Sequence, residues 1–140
     1  EPVGYRSSLA RLPRALLQRS AVLYVWVTPG QSRARNRERS RPGGEASILH
    51  HGVPEAVMRA DYGTDDMAWL LRNARVPGTI PVPAAGGCVD VPAVTFDNRD
   101  DHTSFLRADP EEWRPGDLER LHDRLAEALD RLWATSQARH

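Results

Sequence analysis

Apolar residues recur along the chain at spacings that predict an element order. Over residues 7–19, Leu9, Leu12, Leu16 and Leu17 fall at helical spacing. Pro13 interrupts this amphipathic stretch, so the effective helix starts at Pro13, where a missing N–H costs little. Residues 21–28 (Ala-Val-Leu-Tyr-Val-Trp-Val-Thr) are β-branched, aromatic and nearly all apolar. That pattern suits a strand covered on both faces, as in a parallel sheet. Thr28-Pro29-Gly30 reads as a strand-to-helix junction, with Thr28 an N-cap and Pro29 at the first helical position. The predicted helix from residue 31 to about 41 has almost no apolar residue and ends at Pro42-Gly43-Gly44. A helix polar all round is solvent-exposed or binds something charged.

Further along, residues 54–59 and 64–72 predict two brief helices, the second capped by Thr64 with Asp65 and Asp66 in its first turn. Residues 76–87, rich in Pro and Gly, predict irregular structure. Residues 89–96 predict a second strand, which Pro92 restricts to an edge or to a late start. A long helix over 117–133 carries Leu118, Leu121, Leu125, Leu129 and Leu132 on one stripe. Helices alternating with strands define an α/β layer structure. Two evident strands are too few to cover both faces of the apolar one. Others lie hidden in the middle region or come from outside these residues, and a start at Glu1 rather than Met fits the second option.

Composition narrows the chemistry. At 140 residues the chain is sized for a single domain. All 19 basic residues are Arg, which excludes a Schiff-base lysine, a lysine base and the lysine of a phosphate loop. Cys88, the one cysteine, excludes an internal disulfide framework and a multi-cysteine zinc site. No apolar run approaches the length of a membrane span and nothing reads as a secretion signal, so a cytoplasmic location is expected. Charge is distributed unevenly. Residues 1–42 hold nine Arg against two acids, and the remainder holds ten Arg against seventeen.

Three constellations are candidates for function. Arginines at 33, 35, 37, 39 and 41 step by about 200° around a helix. Arg33 and Arg37 therefore share one face, and Arg35 and Arg39 another. Guanidinium groups match phosphate oxygens in bidentate geometry, so this helix is a candidate polyphosphate clamp, its alternative being a solvated charged face. His50-His51 with Asp61, Asp65 and Asp66 offers imidazole and carboxylate donors but matches no standard metal-ligand spacing. Residues 95–103 (Thr-Phe-Asp-Asn-Arg-Asp-Asp-His-Thr) end the second strand, where ligands of open α/β sheets bind. There, Asn98 can offer an amide edge to a base, and Asp97, Asp100 or Asp101 a carboxylate to magnesium or a ribose hydroxyl, while local turn chemistry explains the same residues. No GxSxG, HExxH or paired CxxC motif occurs.

The run Ala21-Val-Leu-Tyr-Val-Trp-Val-Thr-Pro-Gly-Gln-Ser-Arg-Ala-Arg-Asn-Arg resembles the late strand and lid helix of P-loop nucleoside and nucleotide kinases. The strand ending in Asp97-Asn98 and the long helix after it are similar to that family's last strand, base-contacting loop and C-terminal helix. The resemblance implies part of a parallel-sheet three-layer α/β sandwich with a lid-like basic helix and a C-terminal closing helix. It implies a single domain over 1–140 that is the C-terminal part of a larger one, or a degenerate relative without catalytic power, since the phosphate loop GxxxxGK[ST] is absent. It further implies an ATP- and magnesium-dependent phosphotransferase acting on a small-molecule phosphate acceptor. Arg33 and Arg37 would then stabilise the transferring phosphoryl group, with Arg41, Asp97 and Asn98 at the nucleotide. Two alternatives come from other classes: a basic nucleic-acid-binding module, and a protein-interaction or homo-oligomeric domain using the leucine helix.

Overall fold

A computed structural model describes residues 4–39, 53–54, 56–57 and 64–138. In chain order these form α1 (Tyr5–Leu9), α2 (Arg14–Leu17), β1 (Val22–Trp26), α3 (Pro29–Arg39), α4 (Met67–Arg72), β2 (Thr79–Ala84), β3 (Gly87–Asp97) and α5 (Pro115–Gln137). Two 3-10 turns, Ser104–Arg107 and Pro110–Glu112, lie between β3 and α5. The strands make one sheet in the order β1-β3-β2, with β1 parallel and β2 antiparallel to β3. The expected parallel three-layer sandwich is thus corrected to a small mixed sheet with a C-terminal helix. Among the described residues no helix is long and apolar enough to cross a membrane.

The correction comes from β2, which occupies the segment expected to be irregular. Ile80 and Val82 alternate with Pro81 and Pro83, and both apolar side chains are fully buried. The strand order leaves β2 on an edge, where proline is tolerated because its absent N–H faces away from the ladder. Ala84 pairs with Gly87 across a two-residue turn, and Gly86 at φ 78° and Gly87 at φ 118° take positive-φ backbone that glycine adopts without steric cost. β3 is central and starts at Gly87, so of the edge or late start expected from Pro92 only its pairing with β1 starts late. Its Ala93 N–H bonds the Gly78 carbonyl on the β2 side at 2.8 Å, so the Pro92 nitrogen faces β1. Pairing with β1 begins only at Val22 and Ala93, so no ladder bond is lost at Pro92.

One face of the sheet presents Ile80, Val82, Val89, Val91 and Ala93 to Leu17 of α2 and to Met67 and Leu70 of α4. Each fully buried side chain of this size contributes roughly 1.5–3 kcal/mol relative to exposure. The opposite parity of β3, with buried Pro92, Val94 and Phe96, lies under α5, whose Leu121 and Ala128 are buried. The expected leucine stripe divides: Leu118 and Leu129 lie on an exposed flank. Pro13 breaks the first helical stretch into α1 and α2 and stands at the N-cap of the second. The acids before α4 also take other roles. Met67, not Thr64, opens the helix; Asp65 Oδ1 accepts the Met67 N–H at 3.0 Å, and the Asp66 carboxylate turns to α1. Arg41, His50, His51 and Asp61 lie outside the described residues, and of the helix expected over 54–59 only residues 54, 56 and 57 are described, the last two as helical.

Candidate functional site

β1 and β3 end side by side, Trp26 opposite Asp97, and two segments leave this end: α3 and the turn over residues 98–103. The start of α3 is a capping box. Thr28 Oγ1 accepts the Gln31 N–H at 3.2 Å, and Gln31 Oε1 accepts the Thr28 N–H at 2.9 Å. Gln31 then anchors the helix to the neighbouring strand end by donating Nε2–H to the Arg99 carbonyl at 2.7 Å. One turn on, Arg35 Nη2 donates to Asp101 Oδ1 at 2.9 Å and to the Asn98 carbonyl at 3.4 Å. A further turn places Glu38 3.6 Å from Arg107. Gln31, Arg35 and Glu38 therefore form one docked face.

Arg33 and Arg37 stand on the other side of α3, about 200° round from Gln31 and Arg35. Arg33 is half-buried and Arg37 exposed, and neither makes a hydrogen bond or ion pair among the described residues. Nothing brings these two expected site arginines into contact with Asp97 or Asn98. Arg35, which sequence reasoning did not single out, makes the connection to the turn. Its signal was the four-residue spacing from Gln31, itself three after Thr28.

Asp97 is occupied by its own neighbour. Arg99 donates Nη2–H to Oδ2 at 2.7 Å and Nε–H to Oδ1 at 3.0 Å, and the Arg99 main-chain N–H reaches Oδ1 at 3.1 Å. These donors lower the Asp97 carboxyl pKa to about 2. The Arg99 guanidinium also lies over the Trp26 ring, 4.4 Å from its centroid, so the pair of strand ends carries a Trp–Arg–Asp stack. Asn98 is 2% exposed, and both ends of its side-chain amide bond within the turn. Its Nδ2–H donates to Thr103 Oγ1 at 2.9 Å, and its Oδ1 accepts the His102 N–H at 2.8 Å. The amide edge expected to meet a base is spent inside the protein. Asp101 adopts φ 56°, the left-handed region that Asp tolerates, and its Oδ1 also accepts Ser104 Oγ–H at 2.6 Å.

Between this turn and the start of α5 lies a cavity of about 260 Å³ lined by Asp100, Asp101, His102, Phe105, Asp117 and Arg120. Arg120 donates to Asp117 within it. His102 Nε2 is buried without a hydrogen-bond partner among the described residues, where Asp100 approaches it at 4.0 Å. Sequence reasoning missed this cavity because it joins two segments by tertiary packing alone. Among the described residues no group of three or more His, Cys, Asp or Glu is placed to hold a metal ion. Cys88 is exposed and pairs with Pro83 in the hairpin, at the other end of β3.

No protein-family model, curated protein or solved structure matches the chain. Chemically, the arrangement offers two guanidinium groups without counter-ions among the described residues, on a helix fixed to the strand ends, beside a turn in which arginines hold Asp97 and Asp101 and leave Asp100 exposed.

Proposed function

We propose that the chain is a nucleoside-triphosphate-binding, kinase-like phosphotransferase domain whose α3 arginines contact phosphate. One observation carries the reading: Gln31 and Arg35 dock one face of α3, and the opposite face presents Arg33 and Arg37 with no counter-ion among the described residues. Like charges at this spacing destabilise a helix by a few tenths of a kcal/mol, a cost that a bound polyanion removes. Two guanidinium forks one helical turn apart match the oxygens of a polyphosphate.

Phosphoryl transfer depends mainly on positioning and charge neutralisation. In this reading Arg33 and Arg37 donate N–H groups to developing negative charge, and Arg41 extends the same run. The base is held by contacts other than the Asn98 amide. The lysine-bearing phosphate loop comes from another segment, because this chain has no Lys. Arg99 holds Asp97 and Arg35 holds Asp101, and among the described residues no three His, Cys, Asp or Glu are grouped to hold a metal ion, so the described residues do not fit magnesium.

Calorimetric titration with ATP, inorganic triphosphate and AMP tests the reading. Arg33→Ala combined with Arg37→Ala should weaken ATP and triphosphate binding at least tenfold, about 1.4 kcal/mol, while leaving the unfolding free energy within about 0.5 kcal/mol of the parent. Unchanged triphosphate affinity would end the reading. Binding of a single-stranded RNA oligonucleotide, lost between low and physiological salt and without ATP binding, would replace it with the nucleic-acid alternative.

A further inference from the structure

The two edges of the sheet are built differently. In the β2–β3 ladder the Ala93 N–H bonds the Gly78 carbonyl, and antiparallel alternation turns Ile80 and Val82 inward as well. Positions 81 and 83 face outward, and both are proline, so this edge has no N–H to offer there. At β1 the Trp26 carbonyl accepts the Asn98 N–H at 2.8 Å, which sets Val22, Tyr24 and Trp26 toward β3. Leu23 and Val25 therefore point their N–H and C=O groups outward, and no described residue bonds them. The strand carries neither charge nor proline to discourage pairing.

Helix α5 roofs this open edge. It lies over β3 and β1, and its Thr135 is beside Gly78, which marks the β2 side: a Cβ on Gly78 would meet Thr135 Oγ1 at 2.8 Å. Leu118, Leu129 and Trp133 lie about 100–160° further round the helix, toward β1. Leu129 is 49% and Trp133 67% exposed, and the flank they share with His122 and Ala126 contains no Arg, Asp or Glu. Val25, half exposed, projects to the same face of the sheet as α5, since its neighbour Tyr24 packs in the opposite core. Next around the helix come Glu119, Asp123 and Asp130, all exposed. No described arginine pairs with them, and Asp123 meets only His122, at 3.3 Å. The uncharged flank thus has an acidic rim.

We propose that the outer edge of β1, roofed by this flank, docks an extended apolar strand of a partner polypeptide bordered by basic side chains. Main-chain bonds to Leu23 and Val25 hold the strand, and its alternate apolar side chains pack under Leu118, Leu129 and Trp133. Charge decides the occupant. A two-fold pairing of β1 with β1 of a second copy would lay two α5 helices side by side and oppose their acidic rims, whereas a basic border complements them.

The test uses two capped synthetic peptides, Arg-Val-Thr-Val-Thr-Val-Arg and the same sequence with Glu at both ends, titrated at low salt into the whole chain. Amide exchange at Leu23 and Val25 and tryptophan fluorescence are the readouts. The Arg-ended peptide should bind at least tenfold tighter and slow exchange at both amides, and Val25→Pro should abolish the effect. Glu119→Arg combined with Asp130→Arg, both at exposed positions, should reverse the preference, which keeps the proposal testable if Val25→Pro fails to fold. Equal binding of both peptides, or of neither, overturns it. A concentration-dependent dimer in sedimentation, dissolved by Leu129→Glu, overturns it in favour of a second copy.

Discussion

Asp66 caps a helix remote from it in sequence: its Oδ1 accepts the Tyr5 main-chain N–H at 2.7 Å, and its Oδ2 accepts that of Arg6 at 3.2 Å. The carboxylate thereby takes up two of the orphan donors at the start of α1, where the helix dipole also favours negative charge. Gly4 makes room for it. Its φ is 112°, and a Cβ there would lie 2.9 Å from the Asp66 carboxylate.

Asp66→Ala should therefore cost about 1–2 kcal/mol, because two N–H groups lose their acceptor together. Urea denaturation checks this, with a lower midpoint and an unchanged slope expected. Asp66→Asn, which keeps one acceptor oxygen, should recover part of the loss.

The Asp97–Arg99 pair predicts a pH dependence of known sign. Arg99 holds the folded carboxyl at about 2, below its ordinary 3.8, so the unfolded chain takes up this proton first as pH falls. The stability it contributes is complete above about pH 4 and is lost as pH falls through about 2. Carboxyl-carbon NMR titration should place the Asp97 midpoint near 2, and Arg99→Ala should return it toward the ordinary value. A normal midpoint in the parent would exclude the pairing.

Burial distinguishes leucines that look alike in sequence. Leu70→Ala should cost about 2–5 kcal/mol because its side chain is fully enclosed, while Leu118→Ala, on the exposed flank of α5, should stay within about 0.5 kcal/mol. Thermal unfolding of the two variants checks the contrast.

These examples show what was legible in the sequence. β1 and α5 could be read because their signals are local: a run of apolar residues, and a helical repeat. The Thr28–Gln31 cap was half legible, since Thr28-Pro29 marks a helix start without revealing that Gln31 also reaches Arg99. β2 was hidden because Pro81 and Pro83 read as breakers until an edge position makes them harmless. The split of the leucine stripe, the Asp66 cap and the cavity beside His102 depend on which surface arrives from elsewhere in the chain. No spacing encodes that.

Arg35 and Asp101 offer a way to separate docking of α3 from phosphate contact. Arg35 is mostly covered and Asp101 about half exposed, so their 2.9 Å pair should contribute at the upper end of the surface range, about 1 kcal/mol in a double-mutant cycle. Arg35→Ala leaves Asp101 Oδ1 with Ser104 alone and releases the middle of α3 from the turn, while Gln31 still holds its first turn and buried Asn36 keeps its two bonds to the Val53 main chain. If α3 presents Arg33 and Arg37 from a fixed position, triphosphate affinity should fall severalfold in Arg35→Ala although its guanidinium faces away from them. The exchange Arg35→Asp with Asp101→Arg should restore both stability and affinity, because it rebuilds the dock without changing the phosphate face. An affinity that drops equally for Arg35→Ala and for the exchanged pair, although the exchange keeps the total charge and rebuilds the dock, would mean that the guanidinium at position 35 itself contacts phosphate rather than acting as the dock of α3.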